Sequence, residues 1–230
     1  MSKDYVSVQY DEKLRPITTY PEKLAKRLCE LHKIMPDAKL LEVGAGRPDV
    51  LKGFRKLGVN VHGCDISIAS RDACKSEGIP FKLVDFVKNR LPFRDNSFDA
   101  VYSKSVIEHM PNALDFVLEC RRVLKPGGLF LALTPDWNAN FKTFFDDFTH
   151  VRPMTRRSMK LIMGVADLVE AESYRFRQLP VTWNNPIVNA VCACIAPFVP
   201  ANTRKPFFRW SRELMLVGLG RKPNSRNGLG

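Results

Sequence analysis

Residues 39–66 read KLLEVGAGRPDVLKGFRKLGVNVHGCDI, and this stretch decides the fold. An apolar run, KLLEV, leads through the turn GAG into an amphipathic segment and then into a second apolar run. The order predicts a strand, a helix and a second strand, because consecutive parallel strands need a crossover connection and a helix usually supplies it. Glycine at positions 44 and 46 lets the backbone turn sharply where a ligand approaches.

The same alternation continues along the chain. It predicts an α/β fold with a mostly parallel sheet and helices on both faces. Upstream, residues 21–35 predict an amphipathic helix that packs on the sheet or covers the site. Downstream, Thr155 is predicted to cap a helix within residues 153–166. The further strand-like runs are residues 81–85, 98–103, 128–135, 172–180 and 212–222.

Length and composition predict one domain over residues 1–230, since 45% of the side chains are hydrophobic. We expect an N-terminal helical cap at residues 1–37 and an apolar, basic insertion at residues 181–211. The polar opening and the lack of an apolar run of roughly 18 to 20 residues predict a protein kept in the cytoplasm. The six scattered cysteines are predicted to be reduced thiols.

The formal net charge of +12 favours an anionic partner. Two interpretations of the basic end stay open: a solvated tail, and a binding surface that makes peripheral contact with an anionic membrane. The apolar insertion is interpreted as a lid, a homodimer contact or a membrane-surface patch, and composition does not choose among them. The late part of the chain holds one acid, Glu213, against the cations Arg204, Lys205, Arg209, Arg212, Arg221, Lys222 and Arg226.

Acids stand at the strand ends around the glycine turn. Asp65 comes 19 residues after Gly46, where a carboxylate can accept both hydrogen bonds of a ribose diol. Capping of the next helix is the alternative role for Asp65. Asp85 closes the third predicted strand, and an ordinary turn is its alternative. Glu42 either contacts a ligand or is held by local backbone hydrogen bonds.

The position of Asp49 indicates a ligand without phosphates. A dinucleotide places its pyrophosphate at the start of the helix and needs a third glycine at position 49. Asp49 stands there instead, preceded by Arg47 and Pro48. Its carboxylate complements the helix dipole and would repel a phosphate.

These motifs resemble, in order, those of the class I S-adenosylmethionine-dependent methyltransferases, in the group that includes quinone and sugar O-methyltransferases. EVGAG is similar to the family's first motif, and RRVLKPGGLFLALTP is similar to its helix, turn and fifth strand. Arg47 and Pro48 stand where the family often has a small residue and glycine. The resemblance implies a Rossmann-like seven-stranded sheet with an antiparallel last strand. It also implies S-adenosylmethionine as the cofactor and S-adenosylhomocysteine as the product.

The resemblance also implies cofactor contacts along four strand ends. Glu42 and the two glycines would surround the methionine part, and Asp65 would bind the ribose. Asp85 with Phe86 would contact the adenine. The complete implied set is Glu42, Gly44, Ala45, Gly46, Asp65, Ile66, Asp85, Phe86, Ser103 and Lys104.

A hydroxyl acceptor needs a base that titrates near neutral pH, and histidine is the suitable side chain. His32 and His62 lie within a predicted helix and a predicted strand, which indicates structural roles. His109 follows the fourth strand at the edge where such sheets bind ligands, and it either shapes the site or is a packed, hydrogen-bonded histidine. His150 is the preferred catalytic base.

Residues 144–153, FFDDFTHVRP, place His150 among phenylalanines that would exclude water. We predict that Asp146 or Asp147 orients the imidazole of His150. The alternative is a salt-bridged anchor formed by Asp146, His150 and Arg152. The two aspartates could instead hold a divalent metal ion, but no third carboxylate stands at a suitable spacing, so no metal site is predicted.

The predicted function is O-methylation of a sugar hydroxyl in a glycan or glycolipid precursor, because D-D-x-T-H-x-R-P is similar to a stretch in methyltransferases of polysaccharide and glycan pathways. One alternative is a quinone or another lipid-like phenol, which suits the apolar insertion. Another is a non-catalytic nucleotide-binding module that docks on anionic surfaces. Nucleic acid is not the predicted partner, because SKSVIEHM stands where amine-methylating enzymes of nucleic acids often carry an Asn/Asp-Pro-Pro-aromatic motif.

Overall fold

A computed structural model describes residues 4–9, 16–201, 203 and 205–224 of the chain. Within these residues, seven strands form one sheet in the order β3-β2-β1-β4-β5-β7-β6. The strands are β1 Lys39–Val43, β2 Asn60–Asp65, β3 Phe81–Leu83, β4 Phe98–Lys104, β5 Leu124–Pro135, β6 Val169–Arg177 and β7 Leu214–Arg221. The α-helices are α1 Tyr5–Gln9, α2 Tyr20–His32, α3 Asp49–Lys56, α4 Ile68–Ser76, α5 Ala113–Val123, α6 Trp137–Asn140, α7 Arg156–Val165, α8 Pro186–Ile195 and α9 Pro206–Arg212.

The sheet is parallel from β3 to β5 and antiparallel where β7 inserts between β5 and β6. This arrangement confirms the predicted fold class, including the antiparallel last strand. In such a sheet the parallel strands all end at one edge, and ligands bind outside that carboxyl edge where the strand order reverses. Here the order reverses between β1 and β4, so the glycine turn after β1 lies at the expected place.

The core forms two apolar layers, one on each face of the sheet. One layer includes the buried faces of α5 and α7, and the other includes those of α2 and α3. Helices α2 and α3 pack closely, because a Cβ added at Gly53 would lie 2.9 Å from the Cβ of Ala25. The predicted N-terminal helix is therefore confirmed, and it packs beside α3.

Several strand boundaries differ from the prediction. Strand β6 begins and ends three residues earlier than the predicted 172–180. Strand β3 ends at Leu83, so Asp85 lies two residues beyond the strand and does not close it. Strand β3 pairs with β2 alone in the sheet order, and an edge strand with a single neighbour has a short ladder. Strand β5 begins at Leu124, four residues before the predicted start. The predicted cap of α7 is confirmed, because Thr155 and Ser158 form a reciprocal capping box.

The predicted insertion at residues 181–211 contains α8 and α9, joined by a short 3-10 turn. The insertion begins and ends at the carboxyl edge of the sheet. Strand β6 ends opposite the first residue of β7, and the next residue of β7, Met215, pairs with the last residue of β5. The predicted cap region at residues 1–37 contains α1 and α2. Of the predicted basic end, Arg204 and Arg226 lie outside the described residues.

The six cysteines are free thiols in the structure, as predicted. No helix in the described part of the chain is long and apolar enough to span a bilayer.

Candidate active site

The glycine turn after β1 requires glycine for two reasons. Gly44 has a φ of 79°, and a Cβ built on it would lie 2.2 Å from the Cγ2 atom of Val106. Gly46 also has a positive φ, 49°. The amides of Gly44 and Ala45 both donate to the carbonyl of Cys64, at 2.9 and 3.1 Å, which ties the turn to β2. The turn is therefore fixed close to the end of β2.

Asp65 ends β2 and faces this turn. Its Oδ2 atom accepts from the amide of Gly46 at 2.9 Å, and its Oδ1 atom accepts from the amide of Ser67 at 2.9 Å. The cap of α4 is Ser67, whose hydroxyl accepts from the amide of Ser70, so the capping alternative for Asp65 is wrong. Burial raises the pKa of Asp65, and the backbone hydrogen bonds oppose that rise. Each of its oxygens keeps a second acceptor site for a ribose hydroxyl.

Next along the chain, Ile66 exposes an apolar side chain beside Asp65 at the carboxyl edge. Such a side chain can pack against a flat base bound at the same edge. The predicted contact of Ile66 with the cofactor stays a prediction.

Two buried polar atoms lack partners near the glycine turn. The Oε2 atom of Glu42 and the hydroxyl of Ser103 are both buried and have no hydrogen bond within the described residues. Burial raises the pKa of Glu42 well above its ordinary value, while the charge of Lys104 lowers it. Local backbone hydrogen bonds therefore do not satisfy Oε2. Unpaired buried acceptors are costly, and a bound ligand with an ammonium group would satisfy this one, so the residues present fit the methionine part of the cofactor.

Asp85 forms a turn of its own. Its carboxylate accepts from the amide of Val87 at 3.2 Å and pairs with Lys88 at 3.0 Å. Phe86 packs against Phe116, with ring centroids 6.0 Å apart. These contacts support the turn interpretation of Asp85, and its contact with adenine stays a prediction.

His150 lies at the carboxyl edge on the segment between β5 and α7. Its Nδ1 atom is 2.6 Å from the carbonyl oxygen of Phe144. A carbonyl can only accept, so Nδ1 carries the proton and the neutral ring keeps a lone pair on Nε2. The ring packs against that of Phe144, whose centroid is 4.5 Å away. The imidazole of His150 is therefore oriented so that Nε2 can accept a proton.

The predicted orientation of this ring by an aspartate is wrong, because the carbonyl of Phe144 holds Nδ1. Asp147 approaches Nε2 only to 4.0 Å, and Asp146 is exposed. Burial raises the pKa of Asp147, but hydrogen bonds from Thr149 and Tyr5 outweigh that effect and bring the pKa to about 2. Asp147 is therefore the fixed anion of the site.

The predicted salt-bridged anchor is also wrong in its composition. Arg152 donates to the carbonyls of Met110 and Pro111 and makes no ion pair with Asp146 within the described part of the chain. The segment is anchored by its backbone, because the amides of Val151 and Arg152 both donate to the carbonyl of Glu108 at 2.9 Å.

His109 lies next to His150, with ring centroids 4.7 Å apart. The hydroxyl of Thr149 donates to Asp147 at 2.6 Å, so it can only accept from the Nδ1 atom of His109, which is 2.8 Å away. His109 therefore also keeps its lone pair on Nε2. Burial lowers the pKa of His109, and the neighbouring His150 lowers it further. The two imidazoles form one pair at this edge.

Glu108 lies beneath the histidine pair and is fully buried. Its Oε2 atom accepts from the hydroxyl of Thr134 at 2.9 Å, while Oε1 has no partner among the described residues. Burial raises the pKa of this carboxyl to about 7. Glu108, His109 and His150 each offer one potential metal-binding atom, and the three atoms lie within 4.8 Å of one another. The aspartates weighed above as a metal pair are not part of this group.

The sequence interpretation did not include the N-terminal helix α1 in the site. Asp4, just before α1, accepts from the hydroxyl of Ser67 at 2.8 Å, close to Asp65. The hydroxyl of Tyr5 donates to Asp147 at 2.5 Å. We call the glycine turn with Asp65 the cofactor side, and the histidine pair with Asp147 the acceptor side. Asp4 and Tyr5 therefore connect the cofactor side to the acceptor side. No local signal could have identified them, because Tyr5 and Asp147 are 142 positions apart.

A family model and several known proteins match parts of this chain. Residues 41–132 match the model of a family described as a methyltransferase domain. Over 106 residues the chain is 39% identical to a sterol 24-C-methyltransferase of Gibberella zeae, which covers 42% of this chain and 27% of that protein. Over 138 residues it is 28% identical to a ubiquinone biosynthesis O-methyltransferase of Agrobacterium fabrum, which covers 53% of this chain and 55% of that protein. The chain thus spans about half or less of the length of these two relatives.

The fold has close structural neighbours. The crystal structure of an S-adenosylmethionine-dependent methyltransferase from Archaeoglobus fulgidus superposes with a TM-score of 0.68 at 16% identity, covering 95% of this chain and all of that chain. At this identity the likeness shows the fold. Together with the matched family model, it confirms the resemblance found in the sequence and the cofactor that the resemblance implies. Residues 41–132 match a methyltransferase domain, and the chain as a whole has the fold seen in an S-adenosylmethionine-dependent methyltransferase.

Proposed function

We propose that the protein transfers the methyl group of S-adenosylmethionine to a hydroxyl group, with His150 as the general base. The observation that carries this proposal is the hydrogen bond from Nδ1 of His150 to the carbonyl of Phe144, at 2.6 Å. It fixes the tautomer in which Nε2 is the acceptor. A histidine held in this way can remove a proton from an acceptor hydroxyl without first rearranging.

The chemistry requires alignment and removal of a proton. The cofactor supplies a methyl group on a sulfonium, which is already a good leaving group, and the products are S-adenosylhomocysteine and the methyl ether. The protein must therefore position the hydroxyl and hold its proton. Asp147, with its pKa near 2, stays ionised near neutral pH. It lies 4.0 Å from Nε2 and would stabilise the imidazolium that forms.

The acceptor that we propose first is a sugar hydroxyl in a glycan or glycolipid precursor. Aromatic side chains can pack on the apolar face of a sugar ring. Phe145 and Phe148 are exposed on the segment that carries His150, and Phe148 exposes 87% of its surface. Large exposed aromatic side chains beside a site suit an acceptor with apolar surface, which favours a lipid-linked sugar over a free one.

A quinone or another lipid-like phenol is the second candidate acceptor. Several relatives are named for quinone acceptors, including ubiquinone biosynthesis O-methyltransferases and a demethylmenaquinone methyltransferase. The exposed phenylalanines would suit an aromatic head group equally well. Both candidates share a hydroxyl that must lose its proton.

A transfer assay with methyl-labelled S-adenosylmethionine tests the proposal. The acceptor panel is a free sugar, a nucleotide-linked sugar, a lipid-linked sugar, a demethylated quinone and RNA. We expect label in one of the two lipid-like acceptors and none in RNA. Cofactor binding measured by calorimetry, without transfer to any hydroxyl, would overturn the proposal in favour of a non-catalytic nucleotide-binding module.

A chelator distinguishes the base from the metal alternative. If His150 is the base, EDTA should leave the turnover unchanged. The alternative is that Glu108, His109 and His150 hold a divalent ion that polarises the acceptor hydroxyl. In that case EDTA would abolish transfer, and Zn²⁺ or Mn²⁺ would restore it.

A further inference from the structure

Helix α8 is apolar apart from Asn189, yet most of its residues are exposed. Its sequence, PIVNAVCACI, contains no charged residue. Ile187 exposes 74% of its surface and Val191 exposes 52%, one helical turn apart. A helix whose exposed side chains are mostly apolar is normally covered by protein or by a membrane. We therefore expect the exposed face of α8 to bind an apolar surface.

The exposed surface extends beyond α8. The 3-10 turn that follows carries Phe198, which exposes 86% of its surface. Helix α9 packs against α8 and presents two further exposed rings, Phe207 and Phe208. Exposed apolar side chains that are grouped in this way mark interaction sites more often than scattered ones do. The docking surface is defined as Ile187, Val191, Phe198, Phe207 and Phe208.

The docking surface lies at the same sheet edge as the candidate active site. Arg212, the last residue of α9, donates to the carbonyls of Ala139, at 3.4 Å, and Ala201, at 3.0 Å. Ala139 belongs to α6, which follows β5 and leads toward His150. The side chain of Arg212 therefore links the docking surface to the segment beside the acceptor.

Positive charge lies beside the apolar side chains of α9. Lys205 and Arg209 are exposed next to the two phenylalanines of α9, and Lys142 is exposed on the segment after α6. The single acid in the late part of the chain, Glu213, pairs with Arg209 at 2.9 Å. The chain as a whole carries a net charge of +12. An apolar surface with cations on one side complements anionic lipid head groups above an apolar interior.

We infer that the docking surface binds peripherally to a bilayer that contains anionic phospholipid, with α8 and α9 lying in the interface. A second copy of the chain would bring two positively charged surfaces together, which like-charge repulsion disfavours. RNA would be held by cations and by stacked rings, and it offers no apolar partner to the aliphatic face of α8. Docking in this orientation would present the acceptor side to molecules held in the membrane.

Sedimentation with vesicles tests the inference on the full chain. The probes are vesicles of phosphatidylcholine alone and vesicles in which about one third of the lipid is phosphatidylglycerol. We expect binding to the anionic vesicles, weakening as NaCl rises from about 0.05 M to 0.5 M. The test variant is Ile187→Asp/Val191→Asp, which should weaken partitioning by roughly 30-fold because two apolar contacts are lost. The matched control is Leu161→Asp/Val165→Asp on α7, an equally spaced and similarly exposed pair that should bind as the parent does.

Each outcome decides the inference. Calorimetry with S-adenosylhomocysteine should give the parent affinity for both variants, which shows that each one is folded and separates membrane docking from methyl transfer. An equal loss of vesicle binding in the test and control variants would overturn the inference, because the binding would then not depend on the docking surface. Binding to RNA but not to vesicles would overturn it. A concentration-dependent dimer that the test variant breaks, without vesicle binding, would assign the docking surface to a second copy.

Discussion

The cofactor side and the acceptor side of the carboxyl edge are built in different ways. The cofactor side consists of residues at the ends of consecutive parallel strands, and its key hydrogen bond joins Gly46 to Asp65, 19 positions apart. The acceptor side depends on contacts between distant parts of the chain, such as Thr149 with His109 and Tyr5 with Asp147. The cofactor side therefore follows from a local pattern that many sequences share. The acceptor side depends on tertiary contacts that are specific to this chain.

The two sides also differ in what their polar atoms do. On the cofactor side, buried acceptors of Glu42 and Ser103 lack partners within the described residues and await a ligand. On the acceptor side, the histidine pair already has its Nδ1 protons bound by backbone and hydroxyl oxygens. On the cofactor side, ligand atoms would supply the missing hydrogen bonds, whereas on the acceptor side the protein supplies them itself. Variants on the acceptor side should change turnover, and variants on the cofactor side should change affinity.

Replacement of His150 by alanine should produce the largest effect. Loss of a general base lowers turnover by roughly 10² to 10⁴, while the affinity for S-adenosylmethionine should stay nearly unchanged. Transfer rates with the identified acceptor and calorimetry with the cofactor measure the two quantities. His32→Ala is the control, because His32 bonds to Tyr174 on a face away from this edge. Near-normal turnover of His150→Ala would move the base to His109 and leave residues 144–153 as a structural anchor.

Replacement of Glu108 by glutamine should change stability in a way that depends on pH. The native carboxyl has a pKa of about 7, above its ordinary value of 4.5, because it is buried. Below pH 4.5 the carboxyl is protonated in both states and carries no penalty. Between these values the folded state retains a proton that the unfolded state loses, so stability falls as the pH rises and the full penalty is present above pH 7.

Glutamine removes that penalty and can still accept from Thr134. The free energy of unfolding of Glu108→Gln should therefore exceed that of the parent by up to about 3 kcal/mol at pH 8, and by much less at pH 4.5. Urea unfolding at the two pH values measures the difference. A difference that does not change with pH would show that the ionised carboxylate is already compensated.

The sequence was sufficient for the sheet and for the glycine turn, because strand and helix periodicities and a required glycine are local properties. It was not sufficient for the ring orientation of His150, since the carbonyl that orients it leaves no mark in the side-chain pattern. The boundary of β3 was misjudged, because the apolar run continues into a turn that Asp85 stabilises. Helix α8 could have been found, because Asn185 caps it and Pro186 stands at its first position.

Replacement of Asp65 by alanine tests the cofactor side. If its carboxylate binds the ribose diol, the variant should bind S-adenosylmethionine about 1.5 to 3 kcal/mol more weakly, as expected for charge-assisted hydrogen bonds. Asp85→Ala is the comparison, and its turn contacts predict a smaller loss of affinity. Calorimetry measures both variants, and thermal unfolding checks that the turn at Gly46 is retained. An Asp65 variant with parent affinity would exclude the ribose contact.

Replacement of Tyr5 by phenylalanine should give the smallest effect and the sharpest test of the contrast between the two sides. The variant keeps the ring beside His109 and removes the hydroxyl that donates to Asp147. One net hydrogen bond contributes about 1 kcal/mol, so kcat/KM for the acceptor should fall about fivefold, while cofactor affinity should change little. The control is Ser7→Ala, whose hydroxyl donates to the carbonyl of Asp4, the residue before α1, and has no hydrogen bond to Asp147 among the described residues.

Asp147→Asn and the double variant Tyr5→Phe/Asp147→Asn complete a cycle. If Tyr5 acts through the Asp147 carboxylate, the double variant should be no worse than Asp147→Asn alone, because the two residues share one interaction. Additive losses would mean that Tyr5 contributes separately from Asp147. A loss of cofactor affinity in Tyr5→Phe would show that α1 acts on the cofactor side through Asp4 and Ser67 instead, and the acceptor side would then depend less on distant contacts than the structure indicates.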